Sequence, residues 1–70
     1  MGDSYDAGQV GRIVEINGTV AKVDLGGGTT TQANLVFVDA KFGDYVLVHA
    51  GYVLRVLDIE EAERMLSRWR

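Results

Sequence analysis

Few side chains in this 70-residue sequence are equipped for chemistry, and the sharpest candidate is its single histidine. His49 sits in "YVLVHAGYVLRVLD", Tyr45 to Asp58, immediately before an Ala-Gly pair. An imidazole can serve as a metal ligand or a proton carrier. The other candidates are weaker. There is no cysteine, which removes disulfides, thiolate metal sites and cysteine nucleophiles. Ser4 and Ser67 are the only serines, and neither lies in a nucleophile-elbow context. "GGG", Gly26 to Gly28, lacks the Lys-Ser/Thr pair of a phosphate loop and no helical pattern follows it, so it reads as a turn. Asp3, Asp6, Asp24, Asp39, Asp44 and Asp58 lack the spacing of a calcium loop and read as turn, cap and surface residues. No carboxylate pair has local support for acid–base work, so the chain is not expected to be an enzyme.

The run that carries His49 tells how it is held. Strand side chains alternate between two faces. Val46, Val48, Ala50, Tyr52, Leu54 and Val56 share one parity and form an apolar face, while Tyr45, Leu47, His49, Gly51, Val53, Arg55 and Leu57 form a mixed one. His49 therefore belongs to the face that can meet water or a partner. Gly51 in mid-run predicts a bulge, a sharp bend or the close approach of another backbone, and a bulge would reverse the parity beyond it.

The rest of the chain supplies one small domain whose core is only marginally sufficient. A net charge of −3 and a pI near 4.8 argue against a phosphate-backbone binder, since that affinity comes from clustered Lys and Arg. Arg64, Arg68 and Arg70 are grouped near the end, where a helix C-terminus favours cations. The first residues lack the basic and apolar regions of a secretory signal, and no stretch approaches the roughly 20 apolar residues of a membrane span. A soluble, cytoplasmic protein is expected, with neither a membrane nor a nucleic acid as its partner.

Residues 1–8 read as a flexible arm, 9–57 as a β-barrel and 58–69 as a helix. "GRIVEI" and "TVAKVDL" flank Asn17-Gly18, the signature of a two-residue type I′ hairpin. "GGG" leads into "TTTQANLVFV" as a second hairpin, "DAKFGD" is a polar connection, and the His49 run supplies one or two more strands. Short strands at this spacing predict a small closed or partly open barrel, because closure removes exposed sheet edges. Asp58 and Glu61 have capping-box spacing, and Ile59, Ala62, Met65, Leu66 and Trp69 then recur at helical intervals. Met65 and Trp69 are expected to seal the barrel.

"GDYVLVHAGYVLRVLDIEEAERML", Gly43 to Leu66, resembles the C-terminal half of the HypC/HupF family, small chaperones of nickel-iron hydrogenase maturation. "GRIVEINGTVAKVDLGG", Gly11 to Gly27, is similar to that family's opening strands. The resemblance implies a mainly β fold, a small OB-like barrel with a C-terminal amphipathic helix. It also implies a function: binding a HypD-like protein that assembles iron carrying cyanide and carbon monoxide, and delivering that unit to the hydrogenase large-subunit precursor. His49 matches the family's histidine, which stands near an N-terminal cysteine and helps hold iron, and Gly51 lets the chain bend beside it. The partner-binding or iron-proximal set implied here is His49, Asp6, Gly51 and Tyr52.

The pattern also departs from the family. Members begin Met-Cys-Leu-Ala-Ile-Pro-Gly, whereas this chain reads "YDAGQVG", Tyr5 to Gly11, which sets Asp6 at the cysteine and Val10 at the proline. A carboxylate prefers harder ions than a thiolate does. The expectation is therefore no stably bound cofactor and at most transient iron, with His49 as a weak ligand. The alternative is an OB-type single-stranded nucleic-acid module, in which Tyr45, Tyr52 and Phe42 would stack bases. The acidic balance works against it.

Overall fold

Five runs rich in β-branched and aromatic residues become strands, and short turns decide which of them pair. The structure, a computed structural model, describes residues 8–68, with side chains as far as Arg64. Strand β1 spans Gln9–Asn17, β2 Val20–Gly26, β3 Thr29–Asn34, β4 Tyr45–His49 and β5 Tyr52–Leu57, and helix α1 follows at Ile59–Arg68. The strands lie in the order β1-β2-β3-β5-β4, and β4 pairs back with β1 to close a barrel. Neighbours are antiparallel except β3 and β5, which run parallel and meet at one pair, Asn34 with Tyr52. The expected architecture, a mainly β, OB-like five-stranded barrel with a C-terminal helix, is the one formed.

Two local expectations shift. Asn17 pairs with Val20, so the first hairpin loop is Gly18-Thr19 rather than Asn17-Gly18. φ is positive at Gly18 alone, 66°, as in a type II′ turn. A β-branched threonine resists the second positive φ that type I′ requires. "TTTQANLVFV" remains a strand only to Asn34, where the Asn34 Oδ1 accepts a hydrogen bond from the Val36 amide at 3.1 Å and turns the chain away. Beyond it, Leu35 and Val38 pack against the barrel core while Val36 and Phe37 face outward.

The His49 run is a third hairpin. His49 stands opposite Tyr52 across Ala50-Gly51, so Gly51 marks a reversal of direction and not a bend within one strand. The parity changes accordingly. Val46 and Val48 are buried as expected, but Tyr52, Leu54 and Val56 are exposed, and Val53 and Leu57 take the buried positions. Leu54 is an extra residue in β5, since Leu47 pairs with Arg55 and Val48 with Val53.

Ile13, Val23, Val46 and Val53 are fully buried in the barrel with Ala21 and Ala33 around them. Helix α1 lies elsewhere, against the outward face of β1 and β4. Val10, Leu57 and Ala62 are buried there, with Tyr45 and Leu47 packed alongside. Its start is fixed by the Asp58 carboxylate, which accepts a hydrogen bond from the Glu61 amide at 2.7 Å, and Arg55 reaches Glu61 as an exposed ion pair. The sealing role expected of Met65 and Trp69 lies outside the described side chains, as does the arm before residue 8. Among the described residues no helix is long and apolar enough to cross a membrane.

Candidate functional site

The β4–β5 turn has positive φ at both central residues, 53° at Ala50 and 85° at Gly51. That pattern defines a type I′ turn. Glycine adopts it freely, but Ala50 is the one non-glycine residue with positive φ among those described. Holding an L-residue there costs about 1–2 kcal/mol. The turn is flanked by His49 and Tyr52, which stand directly opposite each other and so project from the same face of the hairpin. Both are exposed.

Alternation along β4 explains the imidazole's position. Val46 and Val48 point into the barrel, Tyr45 and Leu47 point outward under α1, and His49 continues the outward row to the strand's end, where it is exposed. Beside it, the Phe37 ring from the β3–β4 connection meets Tyr52 with centroids 5.2 Å apart and planes tilted by 50°. Phe37 is 63% exposed and its neighbour Val36 58%. His49 opposite Tyr52, and Tyr52 against Phe37, thus form one outward strip, with Val36 exposed next to Phe37 in sequence.

On the other flank of His49 the barrel begins. Gln9 pairs with Val48, and Gly8 lies so close that a Cβ on it would come within 2.6 Å of the Val48 carbonyl oxygen and 3.3 Å of the His49 Cβ. Thr31 completes the rim of a shallow depression around Gly8, His49 and Gly51.

Of the residues expected from sequence, His49, Gly51 and Tyr52 are brought together here. Asp6 lies outside the described residues. Sequence reading missed Ala50, Phe37 and Gly8. Phe37 was hidden because "LVFV" continues a β-prone run, and a short apolar run looks the same in a strand as in a connection. Among the described residues no three His, Cys, Asp or Glu side chains gather closely enough to hold a metal ion. His49 alone offers one nitrogen, short of the three or four protein ligands that tight sites use.

Of the three rings expected to stack bases in a nucleic-acid module, Tyr52 and Phe42 are exposed and Tyr45 is not. Tyr45 is half-buried in the cluster beneath α1, so its face is committed to packing. The outer surface of β1 to β3, lined by Glu15, Asn17, Val20, Lys22 and Gln32, carries no aromatic ring.

Comparison with known proteins gives consistent matches. The HupF/HypC family model matches residues 7–69. A hydrogenase maturation factor HypC from Rhizobium leguminosarum bv. viciae is 46% identical over 48 residues, covering 69% of this chain and 64% of that protein. Another, from Cupriavidus necator, is 50% identical over 44 residues, covering 63% of this chain and 49% of that protein. The chain therefore matches only 64% and 49% of the length of these two curated relatives. Since the family match runs through every strand and the helix, the chain belongs to the HupF/HypC family.

Proposed function

We propose that this chain is a non-enzymatic hydrogenase maturation chaperone of the HypC type, acting in the cytoplasm through protein contacts made at the His49 end of the barrel. Its partners are a HypD-like maturation protein and then the hydrogenase large-subunit precursor. One observation carries the reading: an exposed imidazole stands on the same hairpin face as the exposed Tyr52, whose ring is in tilted contact with the exposed Phe37. Exposed aromatic side chains on an otherwise ordinary surface are the usual anchors of protein–protein contact. The names of the two relatives support the same assignment.

Iron enters as cargo. His49 would give it one nitrogen, and the remaining ligands would come from the partner or from residues preceding Gly8. Asp6 is two residues before Gly8 in sequence, a span of at most roughly 7 Å of extended chain. A carboxylate and an imidazole without a soft donor hold ferrous iron weakly, which suits passage of the ion more than storage.

The test is co-purification with a HypD-like protein and with a large-subunit precursor, followed by anaerobic iron analysis. Partner capture with little iron is expected for the unaltered chain, and Asp6→Cys should recover part of the iron loading. Tight stoichiometric iron in the unaltered chain would overturn the cargo assignment, and failure to bind either protein would overturn the chaperone reading.

A further inference from the structure

Strand β3 ends where β5 begins. The two share only the pair Asn34 with Tyr52, beside which the Asn34 amide donates to the Gly51 carbonyl at 2.8 Å. Past that rung the chain turns away from β3, and β5 runs on with β4 along one edge and no strand along the other. The connection from β3 to β4 does not take the place, since its backbone bonds go to Thr19, to Ile13 or within itself. Every second residue of an antiparallel pair directs its amide and carbonyl away from the partner strand. Residues 54–57 therefore hold backbone donors and acceptors that no other strand takes among the described residues.

A side chain marks the same opening. Val56 pairs with Val46, and directly opposed residues share a face, so Val56 points to the barrel side. Val46 is fully buried there, yet Val56 is 40% exposed. The core is covered over β4 and left open beyond β5. Leu54, the extra residue of the bulge, is exposed to the same extent. An apolar edge with unpaired backbone groups fits one kind of ligand, an extended segment that adds itself as a strand.

A second copy of this chain fits poorly. Antiparallel pairing of β5 with itself about Arg55 would set two guanidinium groups side by side, and the bulge at Leu54 interrupts the run. Charges and bulges of this kind keep sheet edges from pairing with their own copies. A client that has not finished folding supplies what the edge lacks: apolar strands whose own partners are not yet in place. Tyr52, at the start of the same strand, already belongs to the proposed contact, so the edge continues that surface.

We infer that the free edge of β5, residues 54–57, is a docking site for an extended apolar segment of an incompletely folded client, which pairs with it as an added strand and covers Val56. This deepens the proposed function and rests on the hydrogenase large-subunit precursor being that client.

The experiment is hydrogen–deuterium exchange of the full chain, alone and saturated with the large-subunit precursor, read by mass spectrometry. Exchange across residues 54–57 is expected to slow by about tenfold or more on binding, while residues 29–32, on the edge of β3 that β5 does not reach, stay unchanged. Val56→Lys, which puts a charge on the edge, should weaken precursor binding by about tenfold. Thr30→Lys should change it less than about twofold. Should Val56→Lys fail to fold, exchange in the unaltered chain decides. Precursor binding without slowed exchange at residues 54–57 overturns the inference and leaves the chaperone reading standing, as does unchanged affinity in folded Val56→Lys. Slowed exchange that develops in the chain alone as its concentration rises gives the edge to a second copy and also overturns it. No binding of the precursor overturns it too, and the chaperone reading falls with it only if the HypD-like protein is not bound either.

Discussion

Two turns of the barrel share a backbone pattern and differ in what they carry. Gly27-Gly28 joins β2 to β3 with φ values of 64° and 83°, and Ala50-Gly51 joins β4 to β5 with 53° and 85°. The second residue of each is open, with nothing within 4 Å of an added Cβ. In the first turn glycine meets the geometry without strain, and the flanking pair is Gly26 with Thr29. In the second, alanine holds the left-handed position at a cost, and the flanking pair is His49 with Tyr52. Reversing a chain needs only the backbone. Presenting two side chains on one face needs the strands on either side to hold the turn still, and strain survives where the surroundings fix it.

The largest expected effect tests whether the second turn is the docking end. Replacing Phe37 and Tyr52 together by alanine removes the ring pair without touching a fully buried side chain. Affinity for a HypD-like partner should fall by at least about 30-fold, roughly 2 kcal/mol, the size of a hot-spot loss. Thr29→Ala and Thr30→Ala beside the other turn should change it less than about twofold. Titration calorimetry reads all of these, and an equal loss at both turns would break the distinction.

A smaller effect separates geometry from presentation. Gly51→Ala and Gly28→Ala each place an L-residue at a φ above 80° with free space around it, so the penalty is conformational in both. Each should cost about 1–2 kcal/mol, lowering the melting temperature by roughly 4–8 °C per kcal/mol in a domain of this size. Only Gly51→Ala should also weaken partner binding, because only there do the flanking residues belong to the proposed contact. Matching losses of stability with matching losses of affinity would mean that the affinity change follows from unfolding alone.

The same turns show how far the sequence could be read. Alternation put Val46 and Val48 inside and His49 outside, because parity needs only a regular strand. It failed at Tyr52, Leu54 and Val56, since nothing about alanine announces a left-handed residue and Gly51 alone could not distinguish a reversal from a bulge. Asn17-Gly18 located a hairpin but misplaced its loop by one residue, because Thr19 excludes the second positive φ. The strip beside His49 was half legible: Tyr52 follows from its neighbours in sequence, whereas Phe37 arrives from fifteen residues away in sequence through a connection whose path only the closed barrel sets. Gly8 was illegible for a related reason. Its constraint is the Val48 carbonyl, a contact between the first and fourth strands that no local pattern encodes.

The smallest effect bears on the strain itself. Asparagine tolerates the left-handed region because its short polar side chain hydrogen-bonds locally, so Ala50→Asn should relieve part of the cost and raise stability by about 0.5–1 kcal/mol. Ala50→Gly removes the same strain but adds unfolded-chain freedom worth about 0.5–1 kcal/mol in the opposite sense, so its net change should be near zero. Chemical denaturation of the three proteins isolates the strain as the gap between the asparagine and alanine forms. The glycine form then isolates flexibility: at unchanged stability, partner affinity should drop severalfold because His49 and Tyr52 are held less firmly. If Ala50→Asn is no more stable than the unaltered chain, the left-handed alanine is not under strain, and the two turns differ only in the side chains that flank them.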